Sequence, residues 1–115
     1  MKDNVIQRRS FEFALLMIDL YKRLALEHEY TLSKQLLRSG TSIGANVEEA
    51  IAGQSRSDFI SKMSIARKEA RETKYWLRLL QASQLVAIDL SHELAQADEL
   101  LNILTAIIKS TKEVP

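Results

Sequence analysis

Residues 38–80 read RSGTSIGANVEEAIAGQSRSDFISKMSIARKEARETKYWLRLL, and the spacing inside this stretch decides the fold. All three glycines of the chain (Gly40, Gly44, Gly53) lie here, while the one proline is Pro115. Proline removes a backbone donor and clashes with the preceding turn, so no residue before 115 forces a helix to break. Around the glycines, Leu36, Gly40, Ile43, Val47 and Ala50 recur in steps of three and four, which puts them on one helical face. After the polar GQSRS the rhythm resumes at Phe59, Met63, Ala66, Ala70, Thr73, Leu77 and Leu80, an unbroken heptad seam of the kind that packs helix on helix.

Working outward, Phe11, Ala14, Ile18, Tyr21 and Ala25 give the same spacing upstream, and Leu90, Leu94, Ala97, Leu101, Leu104 and Ile108 give it downstream. Four helices are predicted, at about 5–29, 31–53, 57–83 and 89–112. Thr31, Ser57 and Asp89 are the expected N-caps, because a short oxygen-bearing side chain satisfies an orphan N–H of the first turn. Asp58 suits the first turn of the third helix, Gly53 suits a helix end, and Lys109 and Lys112 suit the last turn of the fourth. Helices of similar length joined by connections of a few residues form an all-α, antiparallel, up-down-up-down four-helix bundle. At 115 residues the chain is expected to be one domain, residues 1–115.

Composition narrows the function classes. Without cysteine there is no disulfide framework, thiolate nucleophile or cysteine zinc site. The N-terminal MKDNVIQRRS is polar, and Asp19, Lys22 and Arg23 interrupt the apolar stretches. Neither a signal peptide nor a membrane span is therefore expected, and a cytoplasmic location is. The net charge is only +1, yet residues 30–85 carry nine basic against five acidic side chains and residues 86–115 two against five. The electropositive part is the middle of the chain.

The first helix has apolar residues to spare. Phe13, Leu16, Met17, Leu20 and Leu24 lie off the Phe11–Ile18–Ala25 seam and form a second apolar face, and Trp76 lies with Ile65 and Leu79 on the flank of the third helix opposite its basic residues. One partner seam does not cover both faces. Phe13, Leu16, Met17, Leu20, Leu24 and Trp76 are therefore the expected interface between copies of the chain. The alternative is that the first helix is the most buried helix of a single copy.

Gly40 and Gly44 form a G-x-x-x-G spacing, which lets another element approach closely. A phosphate-cradling loop is not indicated, since no G-K-[ST] ending and no preceding strand accompany it. Asn46 and Glu49, three residues apart, are expected to fix helix register, Asn46 by bridging helices and Glu49 by pairing with Arg67 or Arg71. A catalytic carboxylate at Glu49 lacks a second acid, base or nucleophile beside it.

Arg67, Arg71, Lys74 and Arg78 follow one another at steps of four, three and four and so line one side of the third helix. With Lys62 and Lys68 they make six positive charges against Glu69 and Glu72 over residues 62–78. One reading is a solvated face with a Lys68–Glu72 pair. The other is that the stripe, multiplied by assembly, attracts the phosphates of RNA or DNA, with Tyr75 as a stacking platform. No small-molecule substrate, cofactor or metal is indicated: Asp89-x-x-His92 occurs once, where a bundle metal site needs paired units from several helices. Arg23 and His28 match the R-x4-H spacing of the helical HEPN ribonucleases, in which an Arg–His pair stabilises charge and moves protons, but Leu24 stands where that family usually places a polar residue.

The run RSGTSIGANVEEA followed by SDFISKMSIARKEARETKYWLRLL resembles the four-helix bundle family of proteins encoded in intervening sequences of bacterial 23S ribosomal RNA genes. The resemblance covers nearly the whole chain. Ser42, Ile43, Asn46 and Glu49 match the family's S-I-x-x-N-[IV]-x-E core, and Phe59, Ala66, Glu72 and Leu77 match its third-helix positions. The resemblance implies an antiparallel bundle assembled as a homopentamer, without established enzymatic activity. It also implies kinship with the accessory variability protein of diversity-generating retroelements, a basic pentamer that binds nucleic acid and a reverse transcriptase.

Overall fold

The computed structural model describes residues 4–114. Its helices are α1 (Val5–Leu26), α2 (Thr31–Ala52), α3 (Arg56–Ser83) and α4 (Ser91–Glu113). Each packs on its neighbours in sequence and α1 closes on α4, the arrangement of an antiparallel up-down-up-down four-helix bundle measuring 50 × 22 × 22 Å. The α1–α4 seam is the loosest of the four.

The seams of α2 and α3 run through the residues their spacing marks: Leu36, Gly40, Ile43, Val47 and Ala50, facing Met63, Ala66, Ala70, Thr73, Leu77 and Leu80. On α1 the phase differs from expectation. Ile6, Ser10, Phe13, Met17, Leu20 and Leu24 are buried, one residue off the Phe11–Ala14–Ile18–Tyr21–Ala25 seam and so rotated by about 100°. Phe13, Met17, Leu20 and Leu24 are thus core residues of a single copy, not an interface. Leu16 is half-buried against the same core, and so is Trp76.

The neighbour of α1 sets this phase. A Cβ on Gly40 would stand 2.3 Å from Met17 Cγ, and one on Gly44 3.3 Å from the Ser10 carbonyl oxygen. The two glycines leave a notch that Met17 fills at Gly40 and Ser10 borders at Gly44. The outward apolar residues of α1 are then Phe11 (63% exposed), Leu15 (53%) and Ile18 (37%) along its middle, with Val5 (47%) and Leu26 (81%) at its two ends. On α4, Glu93 and Leu100 are buried where Leu94 and Leu101 were expected; those two leucines are half-buried on its flank.

The helix ends are capped by neighbours of the expected residues. α2 is capped by Glu29, whose carboxylate accepts from the N–H groups of Thr31 (3.0 Å), Leu32 (2.9 Å) and Ser33 (2.7 Å), while Ser33 Oγ donates back to the Glu29 carbonyl at 2.9 Å. Its second oxygen and longer reach satisfy three orphan donors that Thr31 cannot serve from inside the helix. Ser55, not Ser57, caps α3, accepting from Asp58 N–H at 3.1 Å. Asp89 stands one residue before the α4 cap position and accepts from both the hydroxyl and the N–H of Ser91. The Ser91 hydroxyl first, and its N–H second, hold the Asp89 carboxyl below the usual aspartate range. α1 ends at Leu26 with His28 in the left-handed region (φ 60°); His28 N–H donates to Ala25 and Glu29 N–H to Leu24, the paired bonds of a Schellman turn.

Candidate nucleic-acid interface

α3 is 28 residues long, about 42 Å at 1.5 Å per residue, and its seam leaves two flanks of opposite character. Arg38 of α2 lies 3.6 Å from Glu69 and forms an ion pair with Glu72, and Trp76 Nε1–H donates to the same Glu72 oxygen at 3.0 Å. Both acids in the middle of α3 are thereby drawn to the α2 side. The Lys68–Glu72 pair expected within α3 does not form, because Arg38 and Trp76 occupy the Glu72 carboxylate.

The other flank, toward α4, carries Arg67, Arg71, Lys74 and Arg78. Lys74 Nζ pairs with Asp98 of α4 at 2.7 Å. Among the described residues, Arg67, Arg71 and Arg78 make no ion pair, and Arg71 and Arg78 are exposed. Lys68 is exposed on the outer surface beside them. Lys62 departs from the stripe: it precedes Glu69 by seven residues, two helical turns, and so lies on the α2-facing side. The continuous ridge is therefore Arg67–Arg71–Lys74–Arg78, with Lys68 at its outer edge.

Tyr75 rises from the back of α3 between Arg71 and Arg78. Its ring meets Trp76 edge to face, centroids 5.2 Å apart at 67°, and Tyr75, Arg78, Leu79 and Ala82 line a shallow depression.

The polar residues expected to fix register do other work. Asn46 Nδ2 donates to the Ser42 carbonyl of its own helix at 2.9 Å instead of bridging. Glu49 is exposed and pairs with neither Arg67 nor Arg71, because it sits on the outer surface of α2. The buried cross-helix bond belongs to Thr73 and Ser39, 2.8 Å apart, and among the described residues two acids are buried: Glu29, which caps α2, and Glu93, held by Arg23 at 2.8 Å across α1 and α4. Thr73 was visible as a polar residue at a seam position, whereas Ser39 stands one residue before the seam glycine Gly40 and was not marked by the spacing; the pairing of Arg38 with acids more than thirty residues away has no local signature.

Arg23 and His28 do not converge. The Arg23 guanidinium pairs with Asp19 (3.2 Å) and Glu93 and lines a depression with Leu26, Glu27, Val86, Ala87 and Ile88. His28 faces another depression, its Nδ1 3.3 Å from Tyr30 Oη. Among the described residues no cluster of three or more His, Cys, Asp or Glu is placed to hold a metal ion, and no helix is long and apolar enough to cross a membrane.

Among curated proteins, none matches this chain. The crystal structure, at 1.70 Å, of a protein of unknown function from the S23 ribosomal protein family of Bacteroides thetaiotaomicron VPI-5482 is similar to it, with 48% identity and a TM-score of 0.89 over 95% of this chain and 99% of that one. The family model of the 23S rRNA-intervening sequence protein matches residues 2–108. With that match spanning nearly its full length, the chain belongs to the 23S rRNA-intervening sequence protein family.

Proposed function

We propose that this protein is a non-enzymatic, self-associating bundle, a homopentamer as the family resemblance implies, that contacts nucleic acid or a nucleic-acid-bound partner through the α3 ridge. The observation that carries this reading is the segregation of charge on α3. Arg38 withdraws Glu69 and Glu72 to one flank, which leaves Arg67, Arg71 and Arg78 without acidic partners on the other. Surface arginines left unpaired in a row attract phosphate, and assembly multiplies the row.

The test is retention of labelled RNA and DNA at low ionic strength by wild type and by the Arg71→Glu/Arg78→Glu variant. Binding by wild type that falls more than tenfold in the variant, with an unchanged thermal melt, supports the reading. Absence of binding by wild type at low salt overturns it.

A second reading is a protein-interaction module without nucleic-acid binding, favoured by the outward row Phe11, Leu15 and Ile18. Recovery of one defined protein partner through that row, with no nucleic acid retained, supports it over the first.

A further inference from the structure

We infer that the nucleic acid the ridge takes is single-stranded, with one base stacked on Tyr75 and the flanking phosphates held by Arg71 and Arg78; this rests on the reading of α3 as a nucleic-acid face. The Tyr75 side chain is 55% exposed in spite of its large apolar ring. It is also held in place. Its edge-to-face contact with Trp76 fixes one side, Trp76 is tied to Glu72 by its indole N–H, and Glu72 is tied to Arg38 of α2. A ring braced through three side chains loses little freedom when a base lies on its open face, and aromatic pairs of this geometry stabilise one another beyond their buried area.

The cations bracket that ring. Arg71 lies four residues before Tyr75 and Arg78 three after, about 10.5 Å apart along the helix axis, a span two long side chains close around one nucleotide. Lys68 extends the positive field at the outer edge. The depression formed by Tyr75, Arg78, Leu79 and Ala82 adds an apolar floor next to the ring. A polyanion with exposed π-faces complements this combination of charge and ring. A duplex complements only the charge, because its bases are stacked on one another and cannot reach a side chain that stands on a helix surface.

The experiment measures fluorescence anisotropy of one labelled sequence, as a single strand and as a hairpin duplex, against the full-length protein and its Tyr75→Ala, Tyr75→Phe and Arg71→Glu/Arg78→Glu variants, with poly-glutamate as competitor. Single-strand affinity should exceed duplex affinity at least tenfold. Tyr75→Ala should lower it by roughly 5- to 150-fold, the equivalent of one lost base stack, leaving duplex affinity and the thermal melt unchanged, while Tyr75→Phe retains it. Equal affinity for both forms, or an unaltered Tyr75→Ala, overturns the stacking inference. If Arg71→Glu/Arg78→Glu still weakens binding in that case, the ridge reading stands. Displacement by poly-glutamate at matched charge also overturns the inference, because it marks a site that recognises charge alone. Wild type that binds neither form at low salt removes both.

Discussion

Thr73 Oγ1 and Ser39 Oγ meet at 2.8 Å across the buried α2–α3 seam, with Thr73 sharing its one donor between Ser39 and the Glu69 carbonyl of its own helix (2.8 Å) and Ser39 donating to the Gln35 carbonyl at 2.9 Å. These hydroxyls stand at positions an all-apolar seam would fill with alanine or valine, so the two helices are pinned at one register. Ser39→Ala and Thr73→Val should each cost about 0.5–1.5 kcal/mol in urea melts. The double variant should cost less than the sum, by about 0.5–1 kcal/mol of coupling. Strict additivity would show that the bond contributes no net stability.

Gly40 and Gly44 should respond differently to alanine. Alanine gains about 1 kcal/mol over glycine in a helix interior. At position 40 that gain meets a 2.3 Å approach to Met17 Cγ inside a closed core, where overpacking costs about 1–3 kcal/mol. At position 44 the nearest atom is 3.3 Å away. Gly40→Ala should lower the melting temperature, and Gly40→Ala with Met17→Ala should behave as a non-additive pair. Gly44→Ala should be close to neutral. Equal effects at the two sites would contradict the notch that sets the phase of α1.

His28 occupies a left-handed position that glycine fills without strain. His28→Gly should stabilise the protein by about 1 kcal/mol, less whatever the contact with Tyr30 contributes. Destabilisation in a thermal melt would mean that the ring contact outweighs the backbone strain.

How far the fold could be read from the chain is clearest on α1 and α3. The spacing of apolar residues gives the number and extent of the helices because 3.6 residues per turn leaves a periodic trace. The phase of α1 left no such trace: two sets of apolar residues one position apart satisfy the same period, and the choice between them is made by Gly40 and Gly44 on another helix. Arg67, Arg71, Lys74 and Arg78 were legible as a row because they share a helix. That Lys74 is neutralised by Asp98, and that Arg38 removes Glu69 and Glu72 from the ridge, depends on tertiary neighbours. The caps follow the same rule, since Glu29 reaches α2 only because the Schellman turn at His28 aims it there.

The proposed self-association can be tested on the outward row of α1. Phe11, Leu15 and Ile18 stand exposed on one face, and apolar rows of this kind mark contacts with other chains. Leu15→Glu with Ile18→Lys should reduce the particle measured by light scattering to the single 13.1 kDa subunit while the chain keeps its helical circular dichroism, because neither residue belongs to the core; the melting temperature should fall only by the stabilisation that association supplies. Met17→Glu, in contrast, should unfold the chain. An oligomer whose mass is unchanged by the surface pair would place the contact elsewhere.

The most direct measurement is the salt dependence of nucleic-acid affinity for wild type and for Arg71→Ala/Arg78→Ala. Each phosphate contact released should remove about 0.7 to 0.9 from the slope of log affinity against log salt, so the double variant should bind more weakly and with a slope shallower by roughly 1.4 to 1.8. Identical slopes for the two proteins, or a wild-type affinity indifferent to salt, would contradict the assignment of the α3 ridge as the contact surface.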